Sequence, residues 1–344
     1  MSSGGDWGDR RLPNGSIRRR LALYQLFKRK KGRDALTAVT FADDGIGIAA
    51  IHTDPTLGPQ LLACEFHSHD GSDAAQALRE TLSATGSAHA RCTTLMNAGD
   101  YQLLLVEAPD VEASELRAAI RWRIKDLIDF HIDDAVIDVV EIPGQDRGRA
   151  RMMYVVAARS TRVRARIDQI EDAGLELAAI DVEELALRNL AALADRDGRG
   201  TCLVWFGGDD GLILLVREGE LYLSRRIEVG TSQLFSAALH GDPDNGELGD
   251  PLTGVLDQVI LEIQRSLDYY DSHFSLPPLT MVHVAPCAPA MPYVARYLDL
   301  NLNLSAVELD LARLFPGASV PDAVTQARCL TAVGAALRVD EVAL

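Results

Sequence analysis

A chain that writes the same three-strand layout twice has few folds open to it. From Thr201 to Ser232 the sequence reads TCLVWFGGDDGLILLVREGELYLSRRIEVGTS. One apolar run (Cys202 to Phe206) enters a Gly-Gly-Asp-Asp-Gly turn, a second (Leu212 to Val216) leaves it, and a third (Leu221 to Val229) follows Arg217-Glu218-Gly219-Glu220. Short β-rich runs split by Gly and Asp turns predict an antiparallel meander. The layout also stands earlier: Leu36 to Ala42 enters Asp43-Asp44-Gly45, Ile46 to Ile51 leaves it and Leu61 to Phe66 returns. Strands alternating with helices around two analogous meanders predict α/β lobes facing a cleft.

Between the meanders the pattern changes. Pro109 and Asp110 open a helix whose apolar stripe is Leu116, Ile120, Ile124, Leu127 and Ile128, with Glu112 and Glu115 in the first turn, where the helix dipole favours acids. Strands at Ala135 to Ile142 and Met152 to Ala158 follow, then a helix from Thr161 to Ala173. This run reads as a subdomain inserted in the first lobe. The expected division is a basic leader (1–35), lobe I (36–195) with its insertion at about 110–175, lobe II (196–338) and a tail (339–344). Lobe II holds the longest predicted helix, Leu252 to Phe274, with Val255, Val259, Ile263, Leu267, Tyr270 and Phe274 on one stripe.

Charge excludes some partners. The net charge of −16 hides a leader, residues 1–33, with ten Lys/Arg and two Asp, or +8, which leaves −24 on the remainder. A body so acidic does not bind nucleic acid through bulk charge. In the leader, Arg18-Arg19-Arg20 and Lys28-Arg29-Lys30-Lys31 flank LALYQLF. Residues 10–33 are read either as a weak contact with an anionic membrane face or as a solvated arm, and the Gly/Ser-rich start favours the arm. No later run reaches the ~18 apolar residues that span a bilayer. The five cysteines are scattered without a C-x-x-C, which argues for a reducing compartment and against a structural metal. His67-Ser68-His69-Asp70 with His52 holds able ligands, but neighbouring loop histidines are more often solvated, so no metal is expected.

Among catalytic signatures, G-x-x-x-x-G-K-[ST], G-x-G-x-x-G opening a helix, G-x-S-x-G and H-E-x-x-H are all missing. Three other stretches carry a family signal: Arg225-Arg226-Ile227-Glu228-Val229-Gly230, Glu262-Ile263-Gln264-Arg265-Ser266-Leu267-Asp268-Tyr269-Tyr270, and Ala332-Val333-Gly334-Ala335-Ala336-Leu337-Arg338. With these, the chain from about Leu36 to Arg338 resembles the actin-like ATPase superfamily, a duplicated RNase H-like fold of two lobes. Within it the chain resembles the PilM-like pilus-assembly proteins, most closely the MshI proteins of MSHA-type pili. The resemblance implies a cytoplasmic protein, peripheral to the inner membrane, that works with a PilN-like membrane protein and other components of the pilus assembly platform.

The resemblance also implies two phosphate turns and an adenosine turn, which fall on Thr40, Asp43, Asp44 and Gly45, on Trp205, Gly207, Gly208, Asp209 and Asp210, and on Pro286 and Cys287. Here the chain departs from the family pattern. The acids that would hold the metal correspond to Thr40 and Trp205, a basic residue of the first hairpin corresponds to Gly47, and an indole does not replace a metal-binding carboxylate. An acid ~4 Å from a phosphate charge opposes it by about 4 kcal/mol at an effective dielectric of about 20, so bare aspartates at these turns repel phosphate. The adenosine turn reads Ala285-Pro286-Cys287-Ala288-Pro289, where proline removes amide donors. The expectation is a degenerate site with no catalytic residue and no cofactor, in a scaffold that binds the partner's N-terminal segment in the lobe I groove beside the insertion. Trp122, Arg123, Val136 and Val140 are the expected partner surface, read as an aromatic anchor beside an open strand edge. The alternative is an actin-like ATPase that gates pilus assembly through ATP- and magnesium-dependent lobe closure. It would need a replacement acid from Asp181, Glu183 or Glu184, which otherwise read as a helix cap.

Overall fold

The structure, a computed structural model, describes residues 35–69, 74–85, 90–145, 150–241 and 248–339. The basic leader to residue 34, Asp70, residues 146–149, residues 242–247 and the tail beyond 339 lie outside the described residues.

The first meander is β1 (Ala35–Ala42), β2 (Gly45–Asp54) and β3 (Gly58–Ser68), followed by α1 (Ala74–Thr85) and β4 (Arg91–Leu95). Then come β5 (Tyr101–Glu107), α2 (Ala113–Ile124), β6 (Ala135–Glu141), β7 (Met152–Arg159), α3 (Ser160–Asp172), β8 (Glu176–Asp181) and α4 (Glu183–Ala194). The second meander is β9 (Thr201–Phe206), β10 (Gly211–Arg217) and β11 (Glu220–Ile227). After it follow α5 (Thr231–Ala238), α6 (Asp250–His273), β12 (Met281–Val284), α7 (Pro292–Asn301), β13 (Ser305–Glu308), α8 (Leu311–Leu314) and α9 (Ala323–Ala336).

The two halves build the same sheet. Sheet I runs β3-β2-β1-β4-β8 and sheet II runs β11-β10-β9-β12-β13. In each the meander is antiparallel, and the last two strands are added parallel to its first strand and to each other. One face of sheet I (Val39, Ile46, Ile48, Cys92) buries Leu78 of α1 and Ile170 of α3. The other face (Ala38, Ala49, Ile51, Leu61) joins the large core with α9 and sheet II.

Two helices are exchanged between the lobes. α4 leaves the last strand of sheet I but lies on sheet II, whereas α9, at the end of the chain, lies on sheet I. They cross at Gly334, where a Cβ would stand 2.1 Å from the Ala186 carbonyl oxygen, so the crossing needs a residue without a side chain. Asn189 Nδ2 fastens it by donating to the Gly334 carbonyl at 2.9 Å.

The insertion is a separate sheet of order β5-β7-β6. It takes in β5, which starts at Tyr101, ahead of the boundary near 110 read from sequence. α2 covers one face, packing Ile120 and Ile124 on Val106, Met153, Val155 and Ala157. The expected stripe ran on through Leu127, yet Leu127 is 54 % exposed. The reason is local: the helix stops at Ile124, and the Leu127 amide donates back to the Ile124 carbonyl in a tight final turn. On α6 the buried stripe is Leu252, Leu256, Val259, Ile263 and Tyr270, with Val255 and Leu267 only half-buried, because the long helix lies between sheet II and α7.

Candidate functional site

The two meander turns face the lobe junction, and each predicted position can be followed there. Thr40 on β1 pairs with Gly47 across the hairpin, and its hydroxyl donates to the Gly47 carbonyl at 3.4 Å. A Cβ on Gly47 would stand 2.6 Å from the Thr40 hydroxyl and 3.2 Å from the Arg328 carbonyl of α9. The place of the expected basic side chain is therefore filled by a helix. Gly45 is buried against the Phe66 ring. In the second turn Trp205 is half-buried with its ring on Gly207, and the Gly207 amide donates to the Asp210 carbonyl at 2.8 Å. The carbonyls of Gly207 and Gly208 accept from the amides of Thr231 and Ser232 at 2.8 and 2.9 Å, so this turn caps the N-terminus of α5. Gly230 makes that contact possible, because a Cβ there would sit 2.4 Å from the Gly208 carbonyl oxygen.

Against the expectation of bare aspartates, two of the four in these turns are paired. Asp43 and Asp209 are exposed at the tips, but Asp44 is paired with Arg328, whose guanidinium also lies 4.4 Å over the Phe66 ring. Asp210 is held by Arg226 Nη1 at 2.6 Å. Sequence reasoning counted the acids and missed their partners. Arg226 stood inside a quoted motif, while Arg328 is 284 residues from Asp44 and gives no local signal.

A cluster forms around Arg226. Its Nη2 donates to Glu184 Oε1 at 3.0 Å and lies 3.8 Å from Glu183 Oε2. Tyr101, from the inserted sheet, donates its hydroxyl to Glu184 Oε2 at 2.5 Å. Glu184 is 2 % exposed and Tyr101 6 %. Three carboxylates thus share one guanidinium, and Glu183 Oε2 is buried with no hydrogen-bond donor on it. Burial, then the Glu184 charge, pushes the Glu183 carboxyl up to about 7 against the pull of Arg226. Neither glutamate caps α4, whose N-cap is Val182 without a side-chain bond. Asp181, buried at the end of β8, accepts from the Val182 amide at 2.9 Å and from Arg338 Nη1 at 2.9 Å. Asp181 and Glu184 are therefore committed to fold contacts, whereas Glu183 has only the 3.8 Å approach of Arg226.

The third turn is closed as well. Ala285, Pro286 and Cys287 are buried, the Ala285 amide donates to the Val204 carbonyl at 2.8 Å, and burial pushes the Cys287 thiol up to about 12. His67 lies 3.1 Å from Glu65, and among the described residues no group of three or more His, Cys, Asp or Glu is gathered as a metal site. Among those residues no helix is long and apolar enough to cross a membrane.

The four candidate partner residues do not form one surface. Trp122 is 72 % exposed, with Lys125 Nζ 4.7 Å over its ring. Two residues from both Ile120 and Ile124, it projects from the side of α2 opposite the sheet. Arg123 is exposed and pairs with Glu107 at 3.1 Å. Val136 and Val140 lie on the sheet face that α2 does not cover, since alternation puts Ile137 and Val139 under the helix. The β6 edge is also blunted: Arg121 donates to the carbonyls of Ile132 and Ala135, and the Asp138 carboxylate accepts from the Val139 amide at 3.0 Å.

Two sheets of one topology, exchanged helices and paired turns at the junction define the two-lobed actin-like ATPase fold, with an α/β insertion in the first lobe. Residues 75–235 match the family model for the type IV pilus assembly protein PilM. A chain of a solved PilM-PilN type IV pilus biogenesis complex aligns at 17 % identity over 90 % of this chain and 98 % of that one, with a TM-score of 0.68. The ethanolamine utilization protein EutJ from Carboxydothermus hydrogenoformans aligns at 14 % identity over 93 % and 97 %, TM-score 0.48. A Bacteroides thetaiotaomicron protein with an actin-like ATPase fold aligns at 10 % over 81 % and 91 %, TM-score 0.47. Comparison with curated protein sequences gives no match. Residues 75–235 are thus similar to PilM, and the chain shares the fold of that solved complex's aligned chain.

Of the stretches that carry the family signal in sequence, the first meets the second on α6, and the first and third both reach α4. Arg225 reaches Glu262 of α6 at 3.3 Å, Arg226 reaches Glu184, Gly230 packs on the second turn and Gly334 packs on Ala186.

Proposed function

We propose that this protein is a non-enzymatic scaffold of a type IV pilus inner-membrane platform, of the MSHA kind. It sits in the cytoplasm against the membrane and holds the cytoplasmic N-terminal segment of a PilN-like membrane protein. The PilM match on residues 75–235 carries this reading, because it spans the whole inserted sheet. The PilN partner is taken from the similarity to the PilM-PilN complex. Loss of nucleotide chemistry is supported by the cleft: Asp44, Asp181 and Asp210 are each paired with an arginine of this chain. A nucleotide phosphate would have to compete with these carboxylates for the same guanidinium groups.

Calorimetric titration of the full chain with the N-terminal peptide of the platform's PilN-like protein tests the partner. Binding in the micromolar range is expected, and heats no different from those of a scrambled peptide would remove the scaffold reading.

A further inference from the structure

The inserted sheet springs from sheet I, between β4 and β8, but it also holds sheet II. β11 is the outermost strand of sheet II. The outward amide of Ser224 on that edge donates to the Tyr154 hydroxyl of β7 at 2.7 Å. Tyr154 is 2 % exposed, so the bond is shielded from water. Next to it Gln145 forms an antiparallel bridge with Phe274 at the end of α6. Gln145 is itself fixed to the insertion, since its amide nitrogen donates to the carbonyls of Ile142 and Met152, both at 2.7 Å. Gly144 lies against Tyr222, whose ring packs edge-on to Tyr270 and Phe274 at 5.6 and 5.0 Å. A second tie runs through charge: Tyr101 of β5 to Glu184, Glu184 to Arg226 of β11, and Arg226 to Asp210 of the second turn. An exposed sheet edge is ordinarily left to solvent or blunted by its own side chains. Here a module of the other lobe meets that edge at Ser224 and Tyr222, and reaches Arg226 of the same strand through Glu184.

We propose that the inserted sheet is a strap. Anchored in lobe I and fastened to the free edge of lobe II, it fixes how the lobes sit relative to each other by protein contacts alone. The cleft then keeps one width, with or without a ligand in it. Arg226 draws carboxylates of α4 and of the second turn onto one positive charge, and Tyr101 ties the inserted sheet to that cluster. This inference is independent of the pilus reading, because it concerns the chain without any partner.

Hydrogen exchange and solution X-ray scattering of the full chain test it, with the wild type, Tyr154→Phe, Arg226→Met and the double variant. Tyr154→Phe keeps the ring and removes only the hydroxyl. Its expected effect is about tenfold faster exchange at Ser224 and in the facing β7 segment, with the α4–α9 crossing at wild-type rates. The double variant should show a larger radius of gyration, and millimolar ATP with magnesium should leave wild-type exchange unchanged. Wild-type rates at Ser224 in Tyr154→Phe, identical scattering from the double variant, or slower wild-type exchange on adding ATP would each overturn the proposal. If Arg226→Met does not fold, Tyr154→Phe alone decides through the exchange of β11 against that of β7.

Discussion

Replacing Glu183 by Gln tests the electrostatics of the lobe junction, because one proton separates two charge states of a half-sealed cluster. With Glu183 ionised, three carboxylates face one guanidinium, and with it protonated, two do. The groups that face it are Glu184 on its own helix, Arg226 on β11 and Asp210 in the second turn. A carboxyl raised from 4.5 to about 7 in the fold makes the ionised folded state less stable by about 3 kcal/mol. The folded chain then binds more protons than the unfolded chain between about pH 4.5 and 7. Stability should fall as pH rises through that window and level off above it. Glu183→Gln removes the titration, so relative to wild type it should gain about 3 kcal/mol between pH 5 and 8, on the order of 5 °C in midpoint. Scanning calorimetry at four pH values in that range measures it. Parallel curves for the two proteins would refute the reasoning, since a glutamate in ordinary solvent is already ionised at pH 5.5.

Other substitutions separate packing from binding. Gly334→Ala puts a Cβ 2.1 Å from the Ala186 carbonyl oxygen and should cost about 3 kcal/mol or more, measured by urea unfolding. Gly254→Ala is its control, in an exposed stretch of α6 with nothing within 4 Å of a new Cβ, and should stabilise by up to about 1 kcal/mol. Trp122→Ala should leave stability within about 0.5 kcal/mol while weakening the partner peptide about tenfold in the same titration used for wild type. Calorimetry with ATP and magnesium should give binding weaker than millimolar, and tighter binding would favour the gated ATPase.

The meanders were legible because their turns carry their own chemistry. Asp-Gly and Gly-Gly close a hairpin with any partner, so strands on either side follow from local sequence. Periodicity misled where it outlasted the helix: Leu127 keeps the spacing of Ile120 and Ile124 but lies past the turn that ends α2. The sheet that β5 joins is not written locally, since its partner β7 arrives about fifty residues later and nothing in Leu103-Leu104-Leu105-Val106 names it. In the site, the expectation that Thr40 and Trp205 stand where acids would be rests on position alone. The pairing of Asp44 with Arg328 could not, because it depends on α9 crossing to the other lobe.

That exchange of helices bears on how the chain is made. Sheet I has its last strand, β8, by Asp181, yet the helix that covers its inner face ends at Ala336. At about 5–20 residues per second, the ribosome needs roughly ten to thirty seconds to bridge that gap. Throughout it, Ala38, Ala49, Ile51 and Leu61 lack the α9 side of their core. The N-terminal half is therefore no free-standing product of synthesis, and a chain stopped before Ala323 leaves lobe I, not lobe II, with the larger bare face.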